Sequence, residues 1–181
     1  LLYTLPSPLK VGFNGLERMV AIASDSAALL TYSDHYRIVN STLERAPLIA
    51  YQKGSLRDDF DFGALQLFKT DALKEVVDSD NSSYHFAALY NLRLKLSQIG
   101  AITHINEYLY SVEEVDSRLS GEKIFDYVDP KNRDVQIEME IACSNHLKEI
   151  GGYLKPSFLV PDLKSEQFEY EASVIIPVLN R

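Results

Sequence analysis

The chain has 181 residues, a hydrophobic content of 46%, one cysteine (Cys143) and a formal net charge of −8 at pH 7. This length suits one domain with a sizeable core plus extensions, and the single cysteine excludes an intramolecular disulfide and a cysteine zinc site. The acidic balance argues against a nucleic-acid partner, and no apolar stretch approaches the roughly 20 residues of a membrane-spanning helix, so we expect a cytoplasmic protein.

The first predicted elements are a helix and a strand. Asn14 as N-cap and apolar residues at helical spacing predict a helix over 14–27. The short apolar run 29–32 predicts a strand with Asp34 at its C-terminal end. In open α/β sheets, ligands bind at that edge, so Asp34 is a candidate site residue.

The middle of the chain alternates between polar and periodic segments. Residues 37–62 predict mainly loop, with a candidate strand at 48–51, and residues 63–68 predict a further strand. A short helix is predicted over 70–77 and a long one over 83–99. The inward face of the long helix is predicted to consist of Phe86, Leu89, Leu92, Leu96 and Ile99.

The last third of the chain predicts one strand, one long helix and an extended tail. The strand is predicted over 102–105, and Asp129 and Pro130 are typical first residues of the helix, which ends at Gly151. Prolines and acidic residues over 153–171 favour a linker. The β-branched run within 172–181 is typical of a buried parallel strand.

Two segments of this pattern resemble functional motifs of family 2 glycosyltransferases. Tyr32–Tyr36 resembles the acidic Asp-x-Asp motif that holds a divalent metal and the sugar-nucleotide diphosphate, with Tyr36 in place of its second carboxylate. Tyr90–Leu96 is similar to the helix Glu-Asp-Tyr-Asp-Leu-Trp-Leu-Arg-Leu, whose Asp deprotonates the acceptor hydroxyl. Ala88 and Leu89 stand in place of that Glu-Asp pair.

Two further segments resemble structural parts of the same family. Residues 102–110 look like the strand and turn written Ile-Pro-Glu-x-Leu-Tyr, and residues 172–181 look like the first strand, Ser-Val-Ile-Ile-Pro-x-x-Asn. The resemblance implies a partial GT-A-like α/β fold with a mixed, mainly parallel sheet, flanking helices and a C-terminal extension.

The implied organisation has four parts: the second half of a GT-A-like domain over 1–128, a helix over 129–152, a linker over 153–171, and the truncated first strand of a following glycosyltransferase domain over 172–181. The implied activity is sugar transfer from a nucleotide-sugar donor to a saccharide acceptor, with the fragment itself inactive. One alternative is a degenerate, non-catalytic accessory or interaction module for the adjacent catalytic domain. The other is an interaction domain of unrelated ancestry.

Candidate site residues follow from the carboxylates that are present. Asp34 is a candidate ligand for Mg²⁺ or Mn²⁺, which prefer oxygen donors, or else it caps the turn after its strand. Asp58, Asp59 and Asp61 are candidate catalytic residues, as an acceptor-side acidic patch or surrogate base. The alternative for these three is a solvated loop whose carboxylates accept hydrogen bonds from nearby backbone N–H groups.

Overall fold

The computed structural model describes residues 1–113, 133–160 and 174–175. Within these ranges the chain forms a six-stranded mixed sheet and four helices. The strands are β1 Leu2–Tyr3, β2 Leu9–Val11, β3 Leu30–Val39, β4 Thr42–Ala46, β5 Leu65–Phe68 and β6 Ile102–Glu113. The helices are α1 Gly15–Asp25, α2 Thr70–Ser79, α3 Ala88–Ile99 and α4 Arg133–Glu149.

The sheet confirms an α/β architecture, but its pairing differs from the mainly parallel expectation. The strand order is β1-β5-β3-β6-β2, with β4 paired to the second half of β3. Only β3 and β6 run parallel, and the other pairings between described strands are antiparallel. The central β3 therefore has one parallel neighbour, which is the strand that follows α3 in the chain.

The prediction of loop over 37–62 is wrong for its first ten residues. Strand β3 continues to Val39 and returns as β4 through Asn40 and Ser41, with Val39 opposite Thr42. Both turn residues have positive φ, 49° and 63°, as a type I′ hairpin turn requires. Asp34 consequently lies inside a ten-residue strand and not at its C-terminal end.

Two apolar clusters cover the two faces of the sheet. Alternate residues of β5 point to opposite faces, so Leu65 packs with Met19 of α1 and Phe68 packs with Val76 of α2. Leu96 of α3 belongs to the same cluster as Phe68 and Val76. One face is thus covered by α1 and the other by α2 and α3.

Helix α3 lies between the sheet and α4, which changes its buried face. It begins at Ala88, five residues later than predicted, and Glu138 of α4 accepts hydrogen bonds from the backbone N–H groups of residues 85–87 just before it. Of the predicted inward residues, Phe86 and Ile99 are each 54% exposed. The residues that α3 buries are Tyr90, Asn91, Arg93, Leu94, Leu96 and Ser97.

The other predicted ends of helices and strands agree only partly with the structure. Asn14 precedes α1, but its backbone is left-handed and its side chain makes no capping hydrogen bond. Strand β6 runs eight residues beyond the predicted end at 105. The predicted start of the last helix, 129–130, lies outside the described residues. In the predicted strand 172–181 only Val174 and Ile175 are described, and both are exposed without regular structure.

Candidate functional site

The Asp34 side chain lies where the parallel pairing of β3 and β6 is interrupted. Ser33 is opposite Ile105 and His35 is opposite Tyr110, so β6 has the four residues 106–109 where β3 has Asp34 alone. Such a bulge leaves the intervening backbone outside the ladder and reorients the nearby side chains. The candidate carboxylate is therefore placed at an irregular point of the sheet.

Asp34 is fully buried, and its hydrogen bonds hold neighbouring segments in place. Its Oδ1 accepts the backbone N–H of Leu48 at 2.8 Å and lies 2.7 Å from Nε2 of His104 on β6. Because a carboxylate oxygen only accepts, Nε2 of His104 is the donor in this contact. Oδ2 is buried and has no hydrogen-bond partner within the described parts of the chain.

Tyr32 fixes the same neighbouring segment as Asp34. Its hydroxyl donates to the carbonyl oxygen of Ile49 at 2.6 Å and accepts the N–H of Tyr51 at 2.8 Å. Burial raises the pKa of Tyr32 to about 12, so this hydroxyl stays protonated at neutral pH. Residues 48–51 were predicted to form a strand, but side chains of β3 occupy several of their backbone hydrogen-bonding groups and no strand forms.

These contacts limit the ability of Asp34 to act as the predicted ligand of a divalent metal ion. Hard divalent cations take about six oxygen ligands. Asp34 supplies one buried carboxylate, of which one oxygen already accepts two N–H groups. Tyr36, at the second carboxylate position, packs against Tyr108, with ring centroids 4.8 Å apart. Among the residues that the structure describes, no group of three or more His, Cys, Asp or Glu side chains is arranged to hold a metal ion. The described residues at Asp34 do not by themselves fit a Mg²⁺ or Mn²⁺ site.

The three loop carboxylates are not equivalent. Asp59 forms a bidentate ion pair with Arg57, with distances of 2.9 and 2.7 Å, and both side chains are about two-thirds exposed. The Arg57 hydrogen bond lowers the pKa of Asp59. Asp58 accepts the N–H of Asp59 at 3.0 Å, and Asp61 accepts the N–H of Gly63 at 2.7 Å. Asp58 and Asp61 thus accept from local backbone donors, as the solvated-loop alternative requires, and Asp59 accepts from a side chain instead.

Asp58 and Asp61 also line a cleft, and Asp59 does not. The cleft has a volume of about 320 Å³ and lies between the loop 58–63 and helix α3. This volume is at the small end of the range of roughly 300–1,000 Å³ for ligand pockets. Leu89, which stands at the position of the family's catalytic Asp, lines the same cleft. Two of the three predicted catalytic carboxylates therefore line the same cleft as the replaced position.

The cleft wall also contains Arg93, whose role was not predicted. Arg93 is 4% exposed, and its guanidinium lies over the rings of Tyr90, Phe62 and Tyr51 at 4.8, 5.5 and 5.9 Å. Nη2 donates to the carbonyl oxygen of Arg57 at 2.8 Å. Nε and Nη1 are buried without a hydrogen-bond partner in the described ranges. Burial lowers the pKa of Arg93, and the nearby Asp58 carboxylate opposes that shift.

One sequence signal for Arg93 was present. In the resembling helix pattern, Tyr90 and Leu96 align with Tyr and Leu, and Arg93 falls on the Trp. A charged residue at an aromatic position within an apolar helix is a departure that points to a special environment. For His104 no comparable signal exists, because its contact with Asp34 depends on the pairing of two distant strands.

The sequence offers six tyrosines for a sugar-stacking surface or for filling the core, and half of them belong to the core; the six are Tyr32, Tyr36, Tyr84, Tyr90, Tyr108 and Tyr110. Tyr32, Tyr90 and Tyr110 are at most 7% exposed, and each hydroxyl bonds the backbone. Tyr110 accepts the N–H groups of Ala64 and Leu65. These three rings fill space between the elements, and only Tyr90 also borders the cleft.

Comparisons with known proteins do not assign a family. No protein-family model matches the chain, and the search of curated proteins gave no match either. In the described parts of the chain, no helix has the length and apolar character needed to cross a membrane.

Proposed function

We propose that this chain belongs to a family 2 glycosyltransferase with a GT-A-like fold. In the longer protein, the enzyme transfers a sugar from a nucleotide-sugar donor to a saccharide acceptor. A cytoplasmic location, a divalent metal bound with the donor, and an adjacent glycosyltransferase domain belong to the same proposal.

The observation that supports it most is the packing of the three resembling segments that the structure describes. Residues 32–36 lie in β3 and residues 102–110 in β6, its parallel neighbour. Residues 90–96 lie in α3, whose Leu96 packs in one cluster with Leu30 and Tyr32 of β3. Segments that are far apart in sequence are thus neighbours around one sheet region, as parts of one site would be.

The cleft supports a role for two of the loop carboxylates. Asp58 and Asp61 line it together with Leu89, at the position where the family has its base. A carboxylate within hydrogen-bond reach of an acceptor hydroxyl acts as a general base and contributes roughly 10²–10⁴ in rate. We assign this role to Asp58 or Asp61 and not to Asp59, whose carboxylate is paired with Arg57.

A second candidate function is the non-catalytic accessory module. It is favoured by the state of Asp34, which is fully buried and hydrogen-bonded to Leu48 and His104. It is favoured as well by the loss of the second donor-side carboxylate to Tyr36. For the same reasons the isolated chain is expected to be inactive under either function.

Sugar transfer by the longest natural protein that contains this chain distinguishes the two functions. Release of nucleoside diphosphate is measured with a panel of nucleotide sugars and saccharide acceptors. If this domain is catalytic, Asp58→Asn combined with Asp61→Asn lowers kcat by roughly 10²-fold or more, and the matched control Asp59→Asn leaves it near wild type. Unchanged transfer in the double variant would reject the catalytic role of this domain and leave the accessory role.

A further inference from the structure

Helix α1 has an exposed apolar surface in addition to the buried face that contains Met19. Leu16 and Val20, one helical turn apart, are 36% and 53% exposed, and Phe13, just before the helix, is 96% exposed. A surface helix usually directs polar residues to the solvent, so large apolar residues that share an exposed face indicate an interaction surface. We call Phe13, Leu16 and Val20 the apolar ridge of α1.

A groove lies beside the second half of the same helix. Its volume is about 390 Å³, and it runs between α1 and the segment that joins β5 to α2. The wall on α1 consists of Val20 followed by three small residues, Ala23, Ser24 and Ala27. Small side chains leave a hollow that a larger apolar side chain fills, as a knob fills a hole between packed helices. The helix thus presents projecting side chains in its first half and a hollow in its second half.

The ridge and the groove are placed symmetrically about Val20. Leu16 and Ser24 lie four residues before and after Val20, and Phe13 and Ala27 lie seven residues before and after it. A second copy of α1 that runs antiparallel, with Val20 opposite Val20, therefore brings the large residues of each copy to the small residues of the other. Two-fold dimers require such a self-complementary surface, in which both copies use the same patch.

The charges at the edge of this surface agree with the antiparallel arrangement. Glu17 lies in the first turn of α1, and Lys69 lines the groove. In the antiparallel pair, Glu17 follows Leu16 to the groove of the second copy, where Lys69 has the opposite charge. Arg18, the other charged residue next to the ridge, is already paired with Glu107 of its own chain. The dipoles of two antiparallel helices also attract each other.

We infer that this chain forms a two-fold dimer through α1, with the apolar ridge of each copy in the groove of the other and Val20 at the axis. The interface consists of one helix and one groove per copy, so it is small and dissociates at roughly micromolar or higher concentrations. A different partner would need projecting side chains and a hollow at the same spacing, which a second copy already has. The dimer does not depend on the proposed function.

Sedimentation equilibrium of the 181-residue chain tests the dimer. Between roughly 10 and 500 µM the measured mass is expected to rise from 20.5 kDa towards twice that value. Val20→Glu should raise the dissociation constant by roughly tenfold or more, because two carboxylates then meet at the axis. The matched control is Val77→Glu on α2, where the valine is 58% exposed and does not line the groove. This control should dimerise like the wild type.

A mixing experiment identifies the axis. Val20→Lys should dissociate as Val20→Glu does, and an equimolar mixture of the two variants should dimerise again, because each mixed pair places a lysine opposite a glutamate. Phe13→Ser tests the apolar ridge at a residue too exposed to affect folding, with the exposed Phe158→Ser as its control. Only Phe13→Ser should weaken the dimer.

Several outcomes would overturn the inference. They are a wild-type chain that stays monomeric over the whole concentration range, a Val20→Glu dimer as stable as the wild type, or a mixture of the two Val20 variants that stays monomeric. Folding of each variant is checked by its thermal transition. If a Val20 variant does not fold, Phe13→Ser decides: a weaker dimer than in Phe158→Ser supports the interface, and an equal one rejects it.

Discussion

Asp34→Ala separates a structural role of this carboxylate from a role only in ligand binding. The substitution removes the acceptor for Leu48 N–H and His104 Nε2–H. Hydrogen bonds to a charged group contribute about 1.5–3 kcal/mol each, so two of them contribute about 3–6 kcal/mol. Removal of the unpartnered Oδ2 returns about 1–3 kcal/mol of desolvation cost. With the middle of each range, about 4.5 and about 2 kcal/mol, we expect the free energy of unfolding to fall by about 2.5 kcal/mol.

Urea unfolding of the isolated chain, followed by far-UV circular dichroism, measures this change. The midpoint should fall with an unchanged m-value, because the substitution alters stability and not the surface exposed on unfolding. Asp59→Ala is the matched control, since its exposed ion pair with Arg57 contributes little. An Asp34→Ala variant within about 0.5 kcal/mol of wild type would refute the reasoning, because that is how a surface residue without structural contacts behaves.

Three further predictions concern stability. Gly63→Ala should lower the free energy of unfolding by about 1–3 kcal/mol, because Gly63 has φ +68° and a Cβ there would lie 2.4 Å from the Tyr110 hydroxyl; a midpoint in urea equal to wild type would contradict this. Glu138→Ala should lower the thermal midpoint more than Glu138→Gln, because Gln keeps an acceptor for the N–H groups before α3. Equal midpoints of the two variants in calorimetry would contradict a stabilising role of these hydrogen bonds. Burial lowers the pKa of His35, so the unfolded state binds its proton more readily and stability is lost as pH falls from about 6.5. Thermal midpoints measured from pH 7.5 to 5 should fall less steeply in His35→Gln than in wild type, whereas the exposed control His85→Gln should match wild type; parallel slopes in all three proteins would exclude the His35 effect.

The elements with strong local signals were predicted from the sequence. Helix α1, strand β5 and the body of α3 each combine apolar periodicity with flanking turn residues, and the structure confirms them to within a few residues. Strands β1 and β2 have two and three residues, which is too short for any periodicity. They exist because β5 and β6 offer unpaired edges to the chain.

The polarity of the sheet was not predictable from the same signals. An antiparallel return after β3 needs two residues with positive φ, and the sequence there is Asn40-Ser41, which lacks the glycine that usually marks such a turn. Residues 48–51 have the composition of a strand, yet Tyr32 and Asp34 bond their backbone instead. In both places the conformation depends on which partner forms the more stable hydrogen bonds with the backbone groups, and not on the strand propensity of the residues.

Part of the candidate site was predicted from the sequence, and part depended on the fold. The loop carboxylates were recognised from sequence, but only the fold separates Asp58 and Asp61, which line the cleft, from Asp59, which pairs with Arg57 and does not line it. The helical spacing of apolar residues predicted that Leu89 faces inward, because this pattern identifies only one apolar stripe along the helix. Packing of α3 against both the sheet and α4 buries a wider face, and that face includes Arg93.

The sequence by itself determined the α/β class, the main helices and the carboxylates available for chemistry, because hydrophobic period and turn residues act over a few neighbouring positions. The tertiary structure alone decided that Asp34 is buried against His104, that β3 and β4 form a hairpin, and that Arg93 lines a cleft with two unpartnered donors. Each of these depends on contacts between residues far apart in the chain, and their energies are set by burial and by partners that no local pattern encodes.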